Sequence, residues 1–268
     1  MKAHAIFLVI PLTLFAHENN GRGTKAIGLA NAFVAVADNP WAVSYNPAGL
    51  AQLITPEFSA FFVPQQFGIP QLRTIALSGA CTINPGTAGA FVEQFGFDLY
   101  KTTDVGLGYG LAINNSISIG VTTELEQVSI DRYGTSHTLT FNGGLQGKPL
   151  PGLSIGFCLT NLSAATISQN RERLPQTMFL GASFSPVEGF TIVSELEKEV
   201  EFPLVAKFGV EEEFFGFLSL RCGVADNPDK FSAGIAVRYS EFEFGYAGYS
   251  HPDLGWTHQI ELTLRWPD

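Results

Sequence analysis

A serine between two glycines, in the segment GLSIG at 152–156, matches the GxSxG motif of serine hydrolases. In those enzymes the serine lies on a sharp turn between a strand and a helix, which exposes its hydroxyl group. Here apolar residues alternate with small or polar ones through Ser154 and on to Leu162, which is typical of an uninterrupted strand. The sequence therefore predicts that Ser154 is not a nucleophile and that the protein is not an enzyme.

Residues that could hold a metal ion or a cofactor are widely spaced. The histidines share no ligand spacing with a carboxylate or a second histidine, and the cysteines form no CxxC pair. The glycine-rich segment 106–110 lies within an alternating run, whereas a phosphate-binding loop would lead from a strand into a helix. We therefore expect no metal, no cofactor and no disulfide framework. The residues concerned are His137, His251, His258, Cys81, Cys158 and Cys222.

Charge is scarce in this sequence and predominantly acidic. Only 15% of the residues are charged, compared with about a quarter in soluble domains, so much of the surface is expected to face something other than water. The formal net charge of −10 argues against nucleic acid, whose phosphates are bound by lysine and arginine. These properties argue against a nucleic-acid partner and favour contact with lipid.

Residues 1–16 have the composition of a secretory signal peptide. Lys2 precedes an apolar run, 5–16, which becomes polar abruptly at His17. An apolar helix needs about 20 residues to cross a bilayer, so this run is too short to span one but fits the core of a signal peptide. We predict cleavage after Ala16, and the alternative is a buried N-terminal helix or strand.

The following region, up to about residue 56, is rich in alanine and has a helical period. Asn39-Pro40 and Asn46-Pro47 each place a capping residue directly before a proline, which suits the first turn of a helix. We therefore predict two or three short helices with tight breaks. The apolar residues near a 3.6-residue spacing are Ile27, Ala30, Val34 and Ala37.

From Glu57 onward the period changes to two, as in strands with one apolar and one small or polar face. We count about fourteen such segments, most of them about ten residues long, which is the length that a tilted strand needs to cross a bilayer. An even number returns both ends of the sheet to the same side of the membrane. The predicted strands are 57–64, 71–81, 87–97, 103–112, 116–130, 135–146, 152–162, 175–185, 189–198, 203–213, 216–225, 230–239, 241–249 and 256–266.

The polar faces of these segments carry mainly Gly, Ser, Ala and Thr, whereas a water-exposed face would carry more Lys, Glu and Gln. We therefore predict an all-β membrane barrel with the apolar faces in lipid and the small faces in the lumen; a closed barrel also leaves no free edge. The alternative is a soluble β protein.

The alternation places a set of charged residues inside the barrel, where charges need partners, so we expect ion pairs across the lumen. Only four of these twelve residues are basic, which predicts an acidic interior that disfavours anions; the alternative is a purely structural role. The residues are Glu124, Glu126, Glu195, Glu197, Lys207, Glu211, Arg221, Arg238, Glu241, Glu243, Glu261 and Arg265.

The segment GLANAFVAVADNPWAVSYNPAGLA, residues 28–51, resembles the N-terminal hatch of the FadL-type outer-membrane transporter superfamily, and its core NPAGL, 46–50, matches the hatch motif. Later stretches resemble the PorV and PorQ branch of type IX secretion. They are LPGLSIGFCLTNL, LPQTMFLGASFSP, FLSLRCGVADNPDKFSAGIAVRYSEFEFGYAGYSH and LGWTHQIELTLRW.

The resemblance implies a bacterial outer-membrane barrel of fourteen strands whose lumen holds an N-terminal helical hatch. It divides the chain into a signal peptide (1–16), a hatch (17–56) and a transmembrane barrel (57–268). The first functional expectation is a hatch-gated passage for small hydrophobic molecules. The second is a component of protein secretion or surface assembly with secretion-system partners, and the third is a structural barrel with a sealed lumen. The expected binding residues are Asn46, Pro47, Ala48, Gly49, Leu50, Phe33 and Trp41.

Overall fold

The computed structural model describes residues 21–167 and 172–266. The predicted signal peptide and residues 17–20 of the predicted hatch lie outside this range. Within the range, none of the helices combines the length and the apolar character that crossing a membrane requires.

Fourteen antiparallel strands form a closed barrel in the described part of the chain, which confirms the predicted barrel. Neighbours along the chain pair with each other, β7 pairs with β10, and β1 pairs with β16 to close the sheet. Two further strands, β8 (Thr166–Ile167) and β9 (Glu172–Arg173), form a short ladder in the connection between β7 and β10. The barrel strands are β1 (Glu57–Val63), β2 (Thr74–Ile83), β3 (Gly86–Phe97), β4 (Tyr100–Asn114), β5 (Ile117–Ile130), β6 (Gly134–Leu150), β7 (Leu153–Leu159), β10 (Thr177–Val187), β11 (Phe190–Glu199), β12 (Val205–Phe214), β13 (Leu218–Ala225), β14 (Lys230–Tyr239), β15 (Phe242–His251) and β16 (Gly255–Arg265).

The two faces of the strands differ as the two-residue period requires. Phe208, Phe244 and Leu262 are about half exposed on the outer surface, with exposed fractions of 55%, 52% and 47%. Their neighbours Lys207 and Glu261 point inward and are buried. The outer wall is therefore apolar, and the polar side chains of the strands line the interior.

Strand β7 is shorter than its alternation predicts. The predicted segment runs to residue 162, but β7 ends at Leu159. Asn161 adopts a positive φ of 51°, and its backbone N–H donates to the side chain of Asn142 at 2.9 Å instead of pairing along the ladder. Strand β7 therefore ends before the backbone turns at Asn161, although the N–H of Leu162 still donates to the carbonyl oxygen of Phe141 on β6 at 2.7 Å.

Residues 21–53, here called the lumen segment, fill the interior of the barrel. They form helix α1 (Thr24–Gly28), helix α2 (Ala42–Tyr45) and a 3₁₀ helix (Pro47–Gln52), joined by turns. Helix α1 packs on β13 to β16, whereas the 3₁₀ helix packs on β3 to β6 across the barrel. The buried core of the protein thus lies between this segment and the inner wall.

Glycines on the inner wall make room for the lumen segment. A Cβ atom added at Gly110 would lie 2.6 Å from the carbonyl oxygen of Pro47, and one added at Gly223 would lie 2.6 Å from the backbone nitrogen of Ala30. Real side chains do not approach this closely, so only glycine allows the backbone of the segment to rest on the wall. The glycines that face the backbone of the segment in this way are Gly110, Gly120, Gly156 and Gly223. Those that lie against its side chains are Gly89, Gly108, Gly144, Gly181, Gly209 and Gly245, and Gly234 lies 3.3 Å from Gly28 by the same measure.

The two ends of the barrel are distinct. The chain enters β1 and leaves β16 at one end, here called the chain end, and the connections β1–β2 and β7–β10 lie at the other, here called the loop end. At the loop end, the β1–β2 connection bends over the opening. Phe67 packs edge-on against Tyr249, and its backbone N–H donates to Thr257 at 3.0 Å. The connection therefore covers the loop end above β15 and β16.

Candidate functional site

Asn46 begins the predicted hatch motif and connects three parts of the structure. Its side-chain NH₂ donates to the carbonyl oxygens of Val34 (2.8 Å) and Leu145 (3.1 Å), and its Oδ1 accepts from the backbone of Ala48 at 3.2 Å. Pro47 occupies the first turn of the 3₁₀ helix, where a backbone N–H would have no partner within the helix, so its missing N–H costs no hydrogen bond. Asn46 is fully buried, so it fixes this helix both to the preceding turn and to strand β6.

The rest of the motif packs closely. Ala48 and Leu50 are fully buried, and Gly49 rests on Ala37, whose carbonyl oxygen a Cβ atom at Gly49 would overlap. Leu50 in turn lies against Gly89 of β3. The motif residues therefore serve as close contacts between the lumen segment and the wall.

Phe33 and Trp41, the other two predicted binding residues, are also fully buried. The ring of Phe33 contacts that of Tyr45 edge-on at a centroid distance of 5.2 Å, and the ring of Trp41 contacts Phe61 of β1 at 5.9 Å. These side chains pack against other protein groups, so a ligand could contact them only after the lumen segment has shifted.

Glu195 of β11 binds the backbone of the lumen segment. Its Oε2 accepts from the N–H groups of Phe33 (2.9 Å) and Val34 (2.8 Å), and its Oε1 pairs with Lys207 at 2.8 Å. Lys207 also pairs with Glu197 at 2.6 Å. Three of the twelve charged residues that the alternation places in the lumen therefore form one buried cluster.

Glu261 of β16 is a second anchor. Its Oε2 accepts from the backbone N–H (2.6 Å) and the hydroxyl group (2.7 Å) of Thr24, and its Oε1 accepts from the indole N–H of Trp41 at 2.5 Å. Among the described residues Glu261 forms no ion pair, and these three hydrogen bonds stabilise its carboxylate.

Gln146 is an anchor that the sequence analysis did not identify. Its side-chain NH₂ donates to the carbonyl oxygen of Ala35 at 2.6 Å, and its Oε1 accepts from Gln52 at 2.9 Å. Its position on the inner face of β6 follows from the alternation, but nothing in the sequence indicates that its partners lie in the lumen segment.

A polar cavity of about 250 Å³ separates the lumen segment from the wall near the chain end. Arg221 pairs with Glu211 at 2.8 Å, and Lys25 pairs with the same carboxylate at 3.0 Å. Arg238 and Arg265 both pair with Glu243, at 3.1 and 2.9 Å. The residues that the sequence analysis did not include are Lys25, Asp38 and Glu57, which join this network.

Three of the predicted lumen charges lie away from these clusters. Glu241 is in the turn between β14 and β15, where it accepts from the hydroxyl group of Ser240. Glu124 and Glu126 lie on β5 towards the loop end, and Glu124 accepts from the amide of Asn142 at 3.0 Å.

Arg22 of the lumen segment interacts electrostatically with Glu124 in this part of β5. It pairs with Glu93 of β3 at 3.1 Å and with Asp104 of β4 at 3.0 Å. Burial lowers the pKa of Arg22, but the two carboxylates outweigh it and raise the pKa above its ordinary value. The sequence analysis did not include Glu93 and Asp104, although both lie on the inner face by the same alternation.

An apolar groove of about 430 Å³ lies on the outer wall, close to where β7 ends. Its sides are formed by Leu107, Val121, Phe141 and Leu162, all of them exposed on the outer surface. The inner side of the same wall contacts the lumen segment, because the hydroxyl group of Thr122 donates to the carbonyl oxygen of Val43 at 2.7 Å. At this place the wall alone separates the groove from the lumen segment.

Comparison with known proteins finds similarity in fold only. No family model matches the sequence, and no curated protein matches it significantly. Among solved structures, the toluene transporter TbuX of Ralstonia pickettii is similar with a TM-score of 0.71 and 10% identity, over 93% of this chain and 100% of that chain. The toluene transporter TodX of P. putida has a TM-score of 0.67 and 12% identity, over 93% and 99%. A FadL homologue of Pseudomonas aeruginosa has a TM-score of 0.62 and 11% identity, over 90% and 98%.

Proposed function

We propose that this chain is an outer-membrane barrel of the FadL type that forms a passage for small hydrophobic molecules, with the lumen segment as its hatch. In this proposal the chain consists of a signal peptide (1–16), a hatch (17–56) and a transmembrane barrel (57–268). Its partners are outer-membrane lipid and a hydrophobic ligand. The passage is a physical route and involves no chemical step.

The filled lumen is the observation that carries this proposal. A purely structural barrel would be stabilised by any well-packed interior, whereas this interior is a separate segment held by side-chain hydrogen bonds and glycine contacts. Such contacts can be broken without opening the hydrogen-bonded ladders of the barrel. The apolar outer wall suits a bilayer, where closed barrels satisfy every backbone group.

The route that we propose runs from the loop end past the shifted hatch and sideways into the apolar groove. The chain end is lined by ion pairs around a polar cavity, which is an unfavourable path for an apolar molecule. The groove beside β7 offers apolar side chains and adjoins Thr122, which binds the hatch backbone. An apolar ligand would therefore leave through the wall more easily than through the chain end.

A reversible crosslink between hatch and wall tests the proposal. A Cβ atom at Gly245 would lie 3.2 Å from the Cβ atom of Thr24, close to the separation of about 3.5–4.5 Å in disulfides. We expect the oxidised double variant Thr24→Cys/Gly245→Cys, reconstituted in liposomes, to lose uptake of radiolabelled toluene. Reduction with dithiothreitol should restore it.

The matched control is Thr24→Cys alone, which cannot form the crosslink and should respond to neither oxidation nor reduction. Equal uptake by the oxidised and reduced double variant would contradict the proposal that the hatch must move for the ligand to pass. No uptake by the wild-type protein at all would contradict the passage itself. The alternative of a secretion component stays a prediction, which co-purification of the tagged chain with a translocon would measure.

A further inference from the structure

The guanidinium group of Arg22 lies in a cage formed by the inner wall near the loop end. Its nitrogen atoms pair with Glu93 at 3.1 Å and with Asp104 at 3.0 Å. The ring of Phe91 faces the same group, with the guanidinium carbon 4.6 Å from the ring centroid. Two carboxylates and an aromatic face thus surround one cation.

The cage has more negative charge than Arg22 neutralises. Glu124 also contributes to the electrostatic environment of Arg22, and its side chain accepts from an uncharged amide, that of Asn142. One oxygen of Asp104, Oδ1, is buried without a hydrogen-bond partner, and the whole residue is only 7% exposed. Two carboxylates therefore pair with one cation while a third adds to the negative field around it, and a buried carboxylate oxygen retains unused capacity to accept a hydrogen bond or attract a positive charge.

The cation and the cage belong to different parts of the molecule. Glu93, Asp104 and Phe91 lie on wall strands β3 and β4, whereas Arg22 begins the lumen segment. The Arg22 side chain is 16% exposed, so solvent can reach the cage. When the lumen segment shifts, Arg22 leaves with it, and the acidic and aromatic cage stays on the wall.

We propose that this cage binds the head of a hydrophobic organic cation, such as an aryl- or alkylammonium, and that Arg22 fills the cage when no such ligand is bound. Aromatic faces bind quaternary ammonium groups, and desolvated carboxylates add charge attraction. This inference rests on the proposed function for the route by which the ligand arrives, and it narrows the ligand to molecules with one positive charge. Anions would meet the repulsion of the remaining carboxylates.

Binding to detergent-solubilised protein tests the cage without any transport step. The probes are phenyltrimethylammonium and its uncharged isostere tert-butylbenzene, titrated by calorimetry into wild type, Arg22→Ala and Arg22→Gln. We expect both variants to bind the cation about tenfold more tightly than the wild type does, and about tenfold more tightly than they bind the isostere, because the cage is then vacant. Arg22→Lys, which keeps a cation in the cage, should behave like the wild type.

A second pair of substitutions locates the site. Adding Glu93→Gln and Asp104→Asn to Arg22→Ala should abolish the preference for the cation, while the heat-modifiable band of the folded barrel shows that each variant keeps its fold. Equal binding of cation and isostere by Arg22→Ala and Arg22→Gln would overturn the proposal, as would a preference that survives the loss of both carboxylates. If the protein binds the cation but takes up no toluene, the proposed function is overturned and the proposal that the cage binds organic cations stands.

Discussion

At the scale of single residues, Glu261 shows how the lumen segment is held. It accepts three hydrogen bonds from Thr24 and Trp41, and a hydrogen bond to a charged acceptor contributes about 1.5–3 kcal/mol. Removing the carboxylate would leave the buried donors of both residues unsatisfied. The position of Glu261 on the wall thus couples the start of α1 to the start of α2.

We predict that Glu261→Ala releases the lumen segment without unfolding the barrel. Trypsin should then cleave after Lys25 at least about tenfold faster than in the wild type, because proteolysis follows the population of the open form. Mass spectrometry of timed digests measures this. Glu261→Gln keeps one acceptor oxygen and should show a smaller increase; identical rates for all three proteins would contradict the anchoring role.

A wall glycine allows a second test at the same scale. A Cβ atom at Gly144 would overlap Oδ1 of Asn46, whereas one at Gly147 on the same strand would come no closer than 3.9 Å to another residue. We predict that Gly144→Ala destabilises the seated segment by about 1–3 kcal/mol, the usual cost of overpacking, and speeds cleavage after Lys25. Gly147→Ala is the control and should match the wild type.

At the scale of elements, the ionisable groups of the lumen segment make its seating sensitive to alkali. Burial lowers the pKa of Lys25, but Asp38 and Glu211 outweigh it and raise the pKa above the ordinary 10.5. Burial also raises the pKa of Tyr45 above the ordinary 10.0. For both groups the folded pKa exceeds the unfolded one, so their stabilisation is complete below about pH 10 and is lost as the pH rises through the folded value.

We therefore predict that the lumen segment detaches above about pH 10 while the barrel strands stay paired. Trp41 reports this, because it is fully buried and would move into water, with a red shift of its fluorescence. Trp256→Phe/Trp266→Phe removes the other two tryptophans. Circular dichroism measures the strands in parallel, and a joint loss of both signals would show that the segment does not detach separately.

The elements also show what the sequence could predict. The period of two identified the strands because each strand has an inner and an outer face, and the side chains at Phe208 and Lys207 lie as that period requires. The end of β7 was predicted wrongly, because the backbone turns at Asn161, whose N–H binds the side chain of Asn142 nineteen positions away. The anchors Gln146 and Asp104 were missed for a similar reason, since their partners come from distant parts of the chain.

At the scale of the whole molecule, the wall strands carry more acidic than basic side chains towards the lumen. Among the described residues, no ion pair joins Glu93, Asp104 or Glu124 to a basic residue of the wall. Arg22 of the lumen segment supplies their counter-charge. Without the segment, this region would attract cations and repel anions.

We predict that deletion of residues 21–53, with residues 1–20 retained, gives a barrel that conducts and prefers cations. Planar-bilayer recordings in a KCl gradient measure the preference as a reversal potential. The full-length protein, with its filled lumen, is the comparison and should conduct much less. A deletion variant that prefers chloride, or that conducts no more than the full chain, would contradict this charge assignment.

The inner-wall glycines have a consequence for exchange between related barrels. Four of them lie directly against the segment backbone, such as Gly120 under Pro47 and Gly156 under Val34. In a foreign segment with one residue inserted or removed, side chains would lie where the wall of the recipient barrel has room only for backbone atoms. These side chains would clash with the wall. Chimeras should therefore assemble only when segment and wall are taken from the same parent. Substitutions in the lumen segment and in the wall that faces it are expected to accumulate together.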